Sequence, residues 1–386
     1  MTPYKILIVH NAYQQRGGED SVVDSEITLL RSHGHEVATY FRNNDDIASM
    51  PAVKVAVQTL WSSTTVTELT ALINVFKPDV IHVHNTLPLI SPAVYWAANR
   101  AGVPIVQTLH NFRLNCISAL YLRDNKICED CVGHLPWRGV KHKCYRDSTA
   151  ASTVLAGMLT VHRVLGTYKN KVSRYIALND FCRNKFIQGG LPAELITVKP
   201  NFVDAPLPLD LPRHGILFVG RLSVEKGIES LAKAANLLSD PQLRVVGDGA
   251  QAVLLDNIKG VSKVGLLPSD KVRQEMNSAL ALVIPSIWYE NFPRTIVEAF
   301  AAGLPVIASR IGALADIITD GETGLLFDPG NAQDLADKMA WALNHPEQMA
   351  IMGQKARAVY EEKYTSEQNY MQLIDIYKSV IELEYL

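Results

Sequence analysis

Short apolar runs of strand length alternate with helix-length segments along this chain, and the alternation starts twice. Ile6-Leu-Ile-Val, Val37 to Phe41, Val80-Ile-His-Val-His84 and Pro104 to Leu109 are separated by helical signals at Glu19 to Ser32, Val66 to Phe76 and Ala93 to Arg100. A parallel strand pair needs a long crossover, usually a helix, so this spacing predicts a parallel, doubly wound α/β sheet. Asp204 to Arg213 then breaks both periodicities with Pro206, Pro208 and Pro212 and reads as a linker. Beyond it the pattern restarts with Ile216-Leu-Phe-Val, Leu243-Arg-Val-Val, Ala281-Leu-Val-Ile and Pro305-Val-Ile-Ala, each followed by a turn and a helical segment. The predicted division is a first domain over 1–203 with an insertion at about 112–148, a linker over 204–213 and a second domain over 214–365. The last segment, 366–386, repeats Met371, Ile374, Tyr377 and Ile381 at helical spacing, which predicts a helix packed on one or both domains.

Length and charge agree with that division. The 386 residues suit two domains, each large enough for its own core. Lys plus Arg (37) nearly balance Asp plus Glu (39), so bulk charge gives no argument for a nucleic-acid partner. No run approaches the roughly 20 apolar residues of a membrane span, and Lys5-Ile-Leu-Ile-Val opens directly as a strand without a signal pattern. A cytoplasmic location is expected. Five cysteines, four of them clustered, fit a reducing compartment better than a disulfide framework.

The chemistry-bearing residues fall beyond strand ends, where open α/β sheets bind ligands. Glu290 lies on a loop and Glu298 inside an otherwise apolar helix that Pro293 starts and Gly303 with Pro305 stops. A carboxylate on such a segment needs partners, and its acceptor-only oxygens match a pair of hydroxyls such as a ribose diol. Gly220-Arg-Leu-Ser-Val-Glu-Lys-Gly227 follows a strand and offers two cations: Arg221 with a fork for phosphate, Lys226 as a point charge. Gly17-Gly18 after the first strand would let backbone amides approach an anion at a helix start, with a plain turn as the alternative. His110 ends the strand Val106-Gln-Thr-Leu, and His82 and His84 alternate on another strand end. Gly247-Asp-Gly249-Ala-Gln-Ala252 imitates a dinucleotide fingerprint, which opens a nicotinamide-dependent rival, although it stands in the second domain.

Cys116, Cys128, Cys131 and Cys144 form the pattern C-x11-C-x2-C-x12-C. They could complete a structural tetrathiolate zinc site that pins the insertion; four unrelated thiols are the alternative. Around them Arg138, Lys141, Lys143, Arg146, Arg163, Lys169, Lys171 and Arg174 make the most basic part of the chain.

Taken together, Glu290-x7-Glu298 followed by Ala-Phe-Ala-Ala-Gly-Leu-Pro-Val-Ile-Ala-Ser, and Gly220-Arg-Leu before Glu-Lys-Gly227, closely resemble the donor-binding signatures of the family-4 (group 1) retaining glycosyltransferases. The resemblance is strong from Gly220 to Phe327 and weaker before it. It implies the GT-B fold, two Rossmann-like domains facing each other across a cleft. It implies transfer of a sugar from a nucleotide-diphosphate sugar to an acceptor hydroxyl with retention, and roles carry over residue by residue. His110, Glu290, Arg221 and Lys226 fall at the reacting centre. Gly17, Gly18, Gly220, Gly247, Asn291, Phe292, Pro293 and Glu298 join Arg221, Lys226 and Glu290 around the donor. The family more often has Asp after the histidine, so Asn111 departs from it. No Asp-x-Asp occurs, and the cation pair would replace a divalent metal at the diphosphate. The basic stretch motivates a polyprenyl-linked acceptor of bacterial surface polysaccharide or glycolipid assembly and peripheral contact with an anionic inner membrane face. A sugar-nucleotide epimerase of the same fold and a non-catalytic sugar-nucleotide-binding protein are the alternatives.

Overall fold

The computed structural model describes residues 3–14, 17–209 and 211–382. They form two compact units. One holds the chain up to Leu120, Glu129–Pro200 and the terminal segment from Asn369; the other holds Tyr121–Cys128 and Asn201–Gln368.

The strands in chain order are β1 (Lys5–Ala12), β2 (Glu36–Asn43), β3 (Val80–Asn85), β4 (Ile105–Thr108), β5 (Leu122–Arg123), β6 (Lys126–Ile127), β7 (Arg174–Ala177) and β8 (Ile196–Val198). They continue with β9 (Ile216–Val219), β10 (Leu243–Val246), β11 (Val261–Gly265), β12 (Ala281–Ile284), β13 (Val306–Ser309) and β14 (Gly324–Phe327). The first unit's sheet has the order β2-β1-β3-β4-β7-β8 and is parallel throughout. The second unit's sheet, also parallel, has the order β11-β10-β9-β12-β13-β14. Central strands such as Ile6–Val9 and Ala281–Val283 are fully buried, as expected when helices cover both faces of a sheet.

Local sequence explains the elements that carry the site. The helix Gly18–Ser32 buries Val22, Val23, Ile27 and Leu30 on one stripe, carries Glu19 and Asp20 in its positive first turn, and is followed by Gly34 at φ +85°. In the second unit, Arg294–Ala301 buries Ile296, Val297, Ala299 and Phe300, and Gly303 at φ +62° turns the chain into β13. The described residues between β8 and β9 carry no helix or strand. The terminal helix Ser366–Ile381 buries Leu373, Ile374, Tyr377 and Val380, and the Tyr377 hydroxyl meets His82 Nδ1 at 2.7 Å.

The dinucleotide fingerprint does not build the structure it imitates. Ala252–Leu255 is a four-residue 3-10 turn, closed by bonds three residues apart, and Asp256 leaves it in extended backbone. No α-helix N-terminus stands behind Gly247-Asp-Gly249 to hold a pyrophosphate, so the nicotinamide reading loses its physical basis.

Candidate functional site

In the second unit three loops leave the carboxyl ends of neighbouring strands. The loop after β9 carries Gly220 and Arg221, that after β10 carries Gly247, and that after β12 carries Ser286 to Pro293. The strand order reverses between β9 and β12, the switch point where such sheets bind ligands. Backbone packing there has no room for side chains at two glycines. A Cβ on Gly227, at φ +72°, would lie 1.8 Å from the Pro285 carbonyl oxygen, and one on Gly247, at φ +139°, would lie 1.9 Å from that of Gly220.

Lys226 ends the 3-10 turn Val224–Lys226, and its Nζ donates to Glu290 Oε1 at 2.6 Å. The same oxygen accepts from Ser286 Oγ at 2.7 Å, and the Trp288 ring lies 5.5 Å from the ammonium. Burial pushes the Glu290 carboxyl up, but the Lys226 charge and the bonds from Lys226 and Ser286 outweigh it and hold the group below the usual range. Arg221 is different: its side chain is 73% exposed, and its guanidinium is 3.4 Å from Glu225, an ion pair that water screens. Glu298 lies one helical turn after Arg294, 3.9 Å from it, and burial raises its pKa despite the Arg294 and Arg273 charges. Pro293 caps that helix with extended backbone, and Phe292 meets Tyr364 edge-on at 6.1 Å.

In the first unit the loops after β1, β3 and β4 bring other groups together. The Gly17 N–H, expected to face an anion beside Gly18, donates instead to Asp20 Oδ2 at 2.7 Å, in ordinary extended backbone at φ −114°. Asp20 also accepts from His10 Nε2 at 2.8 Å. Glu19 accepts from the Tyr13 hydroxyl at 2.9 Å, and burial raises its carboxyl to about 8. His110, Asn111 and His84 line a cavity of about 620 Å³, walled by apolar side chains of Ala52–Leu60 and Thr149–Val164 and by Arg113 and Arg146, whose guanidinium groups lie 5.0 and 5.4 Å from the Tyr145 ring. His82 does not line it; its two ring nitrogens meet Tyr377 and Thr108.

Sequence reasoning missed the buried partners of these histidines. Glu26 Oε1 pairs with Lys199 Nζ at 2.7 Å, and both side chains are essentially sealed from water. Among the described residues the group with metal-ligand spacing is Glu26, His82 and His84, whose ligand atoms lie within 4.8 Å of one another. Its chemistry does not suit a cation, because the Lys199 ammonium already compensates the carboxylate and both nitrogens of His82 are engaged. Cys116, Cys128, Cys131 and Cys144 do not appear among such groups of the described residues. All five cysteines are thiols. The β5-β6 hairpin turns through Asp124 and Asn125, both at positive φ, and returns Cys128 to Tyr121, where the Cys128 N–H donates to the Tyr121 carbonyl at 2.8 Å.

The basic stretch is partly structural. Arg163 donates to the His134 carbonyl at 2.7 Å, Arg174 to that of Glu194 at 2.7 Å, and Lys171 to Asn99 at 2.8 Å. Arg138, Lys141, Lys143, Arg146 and Lys169 are exposed, near exposed Trp137, Val164 and Leu165 in sequence. No helix among the described residues is long and apolar enough to cross a membrane.

Comparison with known proteins places this chain among glycosyltransferases. Residues 203–359 match the family described as glycosyl transferases group 1, and residues 16–206 match glycosyltransferase family 4. The chain is 28% identical over 311 residues to 2-deoxystreptamine glucosyltransferase of Streptomyces kanamyceticus, covering 76% of this chain and 75% of that one. It is 34% identical over 148 residues to sulfoquinovosyl transferase SQD2 of Arabidopsis thaliana, covering 37% of this chain and 29% of that protein. An uncharacterized glycosyltransferase of Methanocaldococcus jannaschii is 30% identical over 170 residues, 42% of this chain and 48% of that one. The last two matches thus span less than half of those relatives. Among solved structures, sucrose-phosphate synthase of Thermosynechococcus elongatus superposes with a TM-score of 0.73 at 19% identity, over 98% of this chain and 100% of that one. HepE of Anabaena, in complex with UDP-glucose, gives 0.68 at 20% identity over 97% and 100%. Both likenesses concern the fold, GT-B.

Proposed function

Because the chain belongs to the group 1 glycosyltransferases of GT-B fold, we propose that it moves a sugar from a nucleotide-diphosphate sugar to an acceptor hydroxyl with retention of anomeric configuration. The observation that carries this reading is the meeting of Lys226 and Glu290 beside the switch point of the second sheet, with Arg221 on the adjoining strand end. Each group has a task that its chemistry suits. Arg221 and Lys226 neutralise the diphosphate as it gains charge on departure, so no divalent ion is needed there. Glu290 accepts from hydroxyls of the transferred sugar, and Glu298 from the ribose diol. His110 contributes a neutral imidazole, and the donor phosphate takes the proton of the incoming hydroxyl.

The acceptor we propose is a polyprenyl-linked saccharide of surface polysaccharide or glycolipid assembly. The apolar cavity beside His110 and the exposed cations with nearby Trp137, Val164 and Leu165 support it, since cationic side chains near an anionic leaflet each contribute about 1 kcal/mol. On this reading the enzyme works in the cytoplasm, peripheral on the inner membrane face. A mass-spectrometric screen of nucleotide sugars with lipid-linked and soluble acceptors tests the proposal. Consumption of one donor with a glycosylated product supports it. An isomerised sugar released without any acceptor identifies an epimerase, and binding without turnover identifies a silent protein.

A further inference from the structure

A chain of contacts runs from buried Glu26 through buried His84 to partly exposed His110 in the wall of the first unit's cavity. Glu26 Oε2 lies 3.4 Å from His84 Nε2, and His84 Nδ1 lies 2.8 Å from His110 Nε2. Glu26 Oε2 and His84 Nε2 are both sealed from water and neither has a hydrogen-bond partner among the described residues, so the 3.4 Å contact between them is electrostatic. His82 Nδ1 is farther from that oxygen, 3.9 Å, and is engaged with the Tyr377 hydroxyl.

The 2.8 Å contact between two imidazoles requires one N–H and one lone pair, which leaves two arrangements. If His84 carried its proton on Nδ1 and donated to His110, its Nε2 lone pair would face the Glu26 carboxylate in a water-free site. That repulsion is strong where the effective dielectric is low. Lys199 makes it worse for this arrangement, because its ammonium at 2.7 Å keeps Glu26 ionised. In the other arrangement His84 Nε2–H points at Glu26, His84 Nδ1 accepts, and His110 donates from Nε2. The hydrogen bond on one nitrogen of an imidazole decides what the other can do.

We propose that Glu26 and His84 are positioning residues that fix His110 in its Nε2–H tautomer, so that Nδ1 meets the substrate as a hydrogen-bond acceptor and selects an O–H at that point. Burial lowers the His110 pKa to about 3, so the ring is neutral at working pH and does not revert to a donor by protonation. The substrate half of the proposal rests on the transferase reading: the O–H would belong to a sugar. A substrate offering an acceptor-only group there loses its partner, a discrimination stronger than shape alone provides.

The test uses the full chain labelled with 15N-histidine, with His84→Gln and His110→Asn assigning the two rings in long-range proton–nitrogen spectra. Both rings should be Nε2–H tautomers from pH 6 to 8. Glu26→Gln with Lys199→Met keeps a neutral, similarly sized pair, and its carboxamide N–H can donate to His84 Nε2. In that double variant His110 should populate the Nδ1–H tautomer, as when a carboxylate-to-amide change inverts a catalytic histidine. A wild-type His110 carrying its proton on Nδ1, or an unaltered Nε2–H population in the double variant, overturns the proposal. Failure to consume any nucleotide sugar would instead sink the transferase reading and leave the tautomer result standing.

Discussion

Lys226 Nζ sits 2.6 Å from Glu290 Oε1, so the cation assigned to the diphosphate and the carboxylate assigned to the sugar are held by each other. Removing one partner strands the other. Lys226→Met leaves a buried carboxylate with Ser286, and Glu290→Gln leaves a partly buried ammonium. Urea unfolding of both variants and the double variant should give losses that do not add, with a coupling of about 1–3 kcal/mol. Strictly additive losses would show that the pair does not act as a unit.

The histidine network sets the acid limit of the first unit. Burial lowers the pKa of His82, His84 and His110, that of His110 to about 3. The unfolded chain therefore binds more protons than the folded one between the ordinary histidine value and those depressed values. Stability is fully present above about pH 6.5 and is lost as pH falls, by about 1.4 kcal/mol per pH unit for each histidine. Urea midpoints from pH 7 to 5 should fall steeply, and less steeply in His110→Asn. A flat profile over that range contradicts the burial argument.

Glu19 has the opposite sign. With its carboxyl raised to about 8 by burial, the folded state holds a proton that the unfolded state gives up near the ordinary glutamate value. The stabilising contribution is complete below about pH 4.5 and disappears as pH rises through about 8. Glu19→Gln should therefore raise the melting temperature relative to wild type by more at pH 9 than at pH 6, the difference vanishing below about pH 4.5. An equal difference at both values would remove the assignment.

Gly247→Ala should cost at least about 2 kcal/mol, because the new Cβ would meet the Gly220 carbonyl oxygen at 1.9 Å from a backbone at φ +139°. Thermal melts check the loss. Since Gly220 precedes Arg221, the same variant should turn over a donor more slowly; unchanged stability would show that the loop yields freely.

The parallel character of the sheets follows from features visible in the sequence, because fully buried parallel strands read as unbroken apolar runs such as Leu282 and Val283 and need helical crossovers. The loops bearing Arg221 and Glu290 were legible for the same reason: they follow such runs. Pairing across the fold was not. Lys226 and Glu290 are 64 positions apart, and Glu26 and Lys199 are 173 apart. One signal was available for Glu26: it is four residues after Val22 and three after Val23, on the buried stripe of its helix, where a lone acid needs a partner. The hairpin that carries Cys128 was not legible, because it depends on Asp124 and Asn125 adopting positive φ. The glycine fingerprint was ambiguous in the sequence because it does not specify the helix that must follow it.

The most direct measurement of the central claim is release of nucleoside diphosphate from a panel of nucleotide sugars, in EDTA, by wild type and by Arg221→Ala/Lys226→Ala. The account predicts turnover of one donor by wild type without added metal and a loss of about 10²-fold or more in the double variant, as expected when preorganised charge is removed from a departing phosphate. Near-normal kinetics in the double variant, or a strict requirement for Mg²⁺ or Mn²⁺, would contradict it.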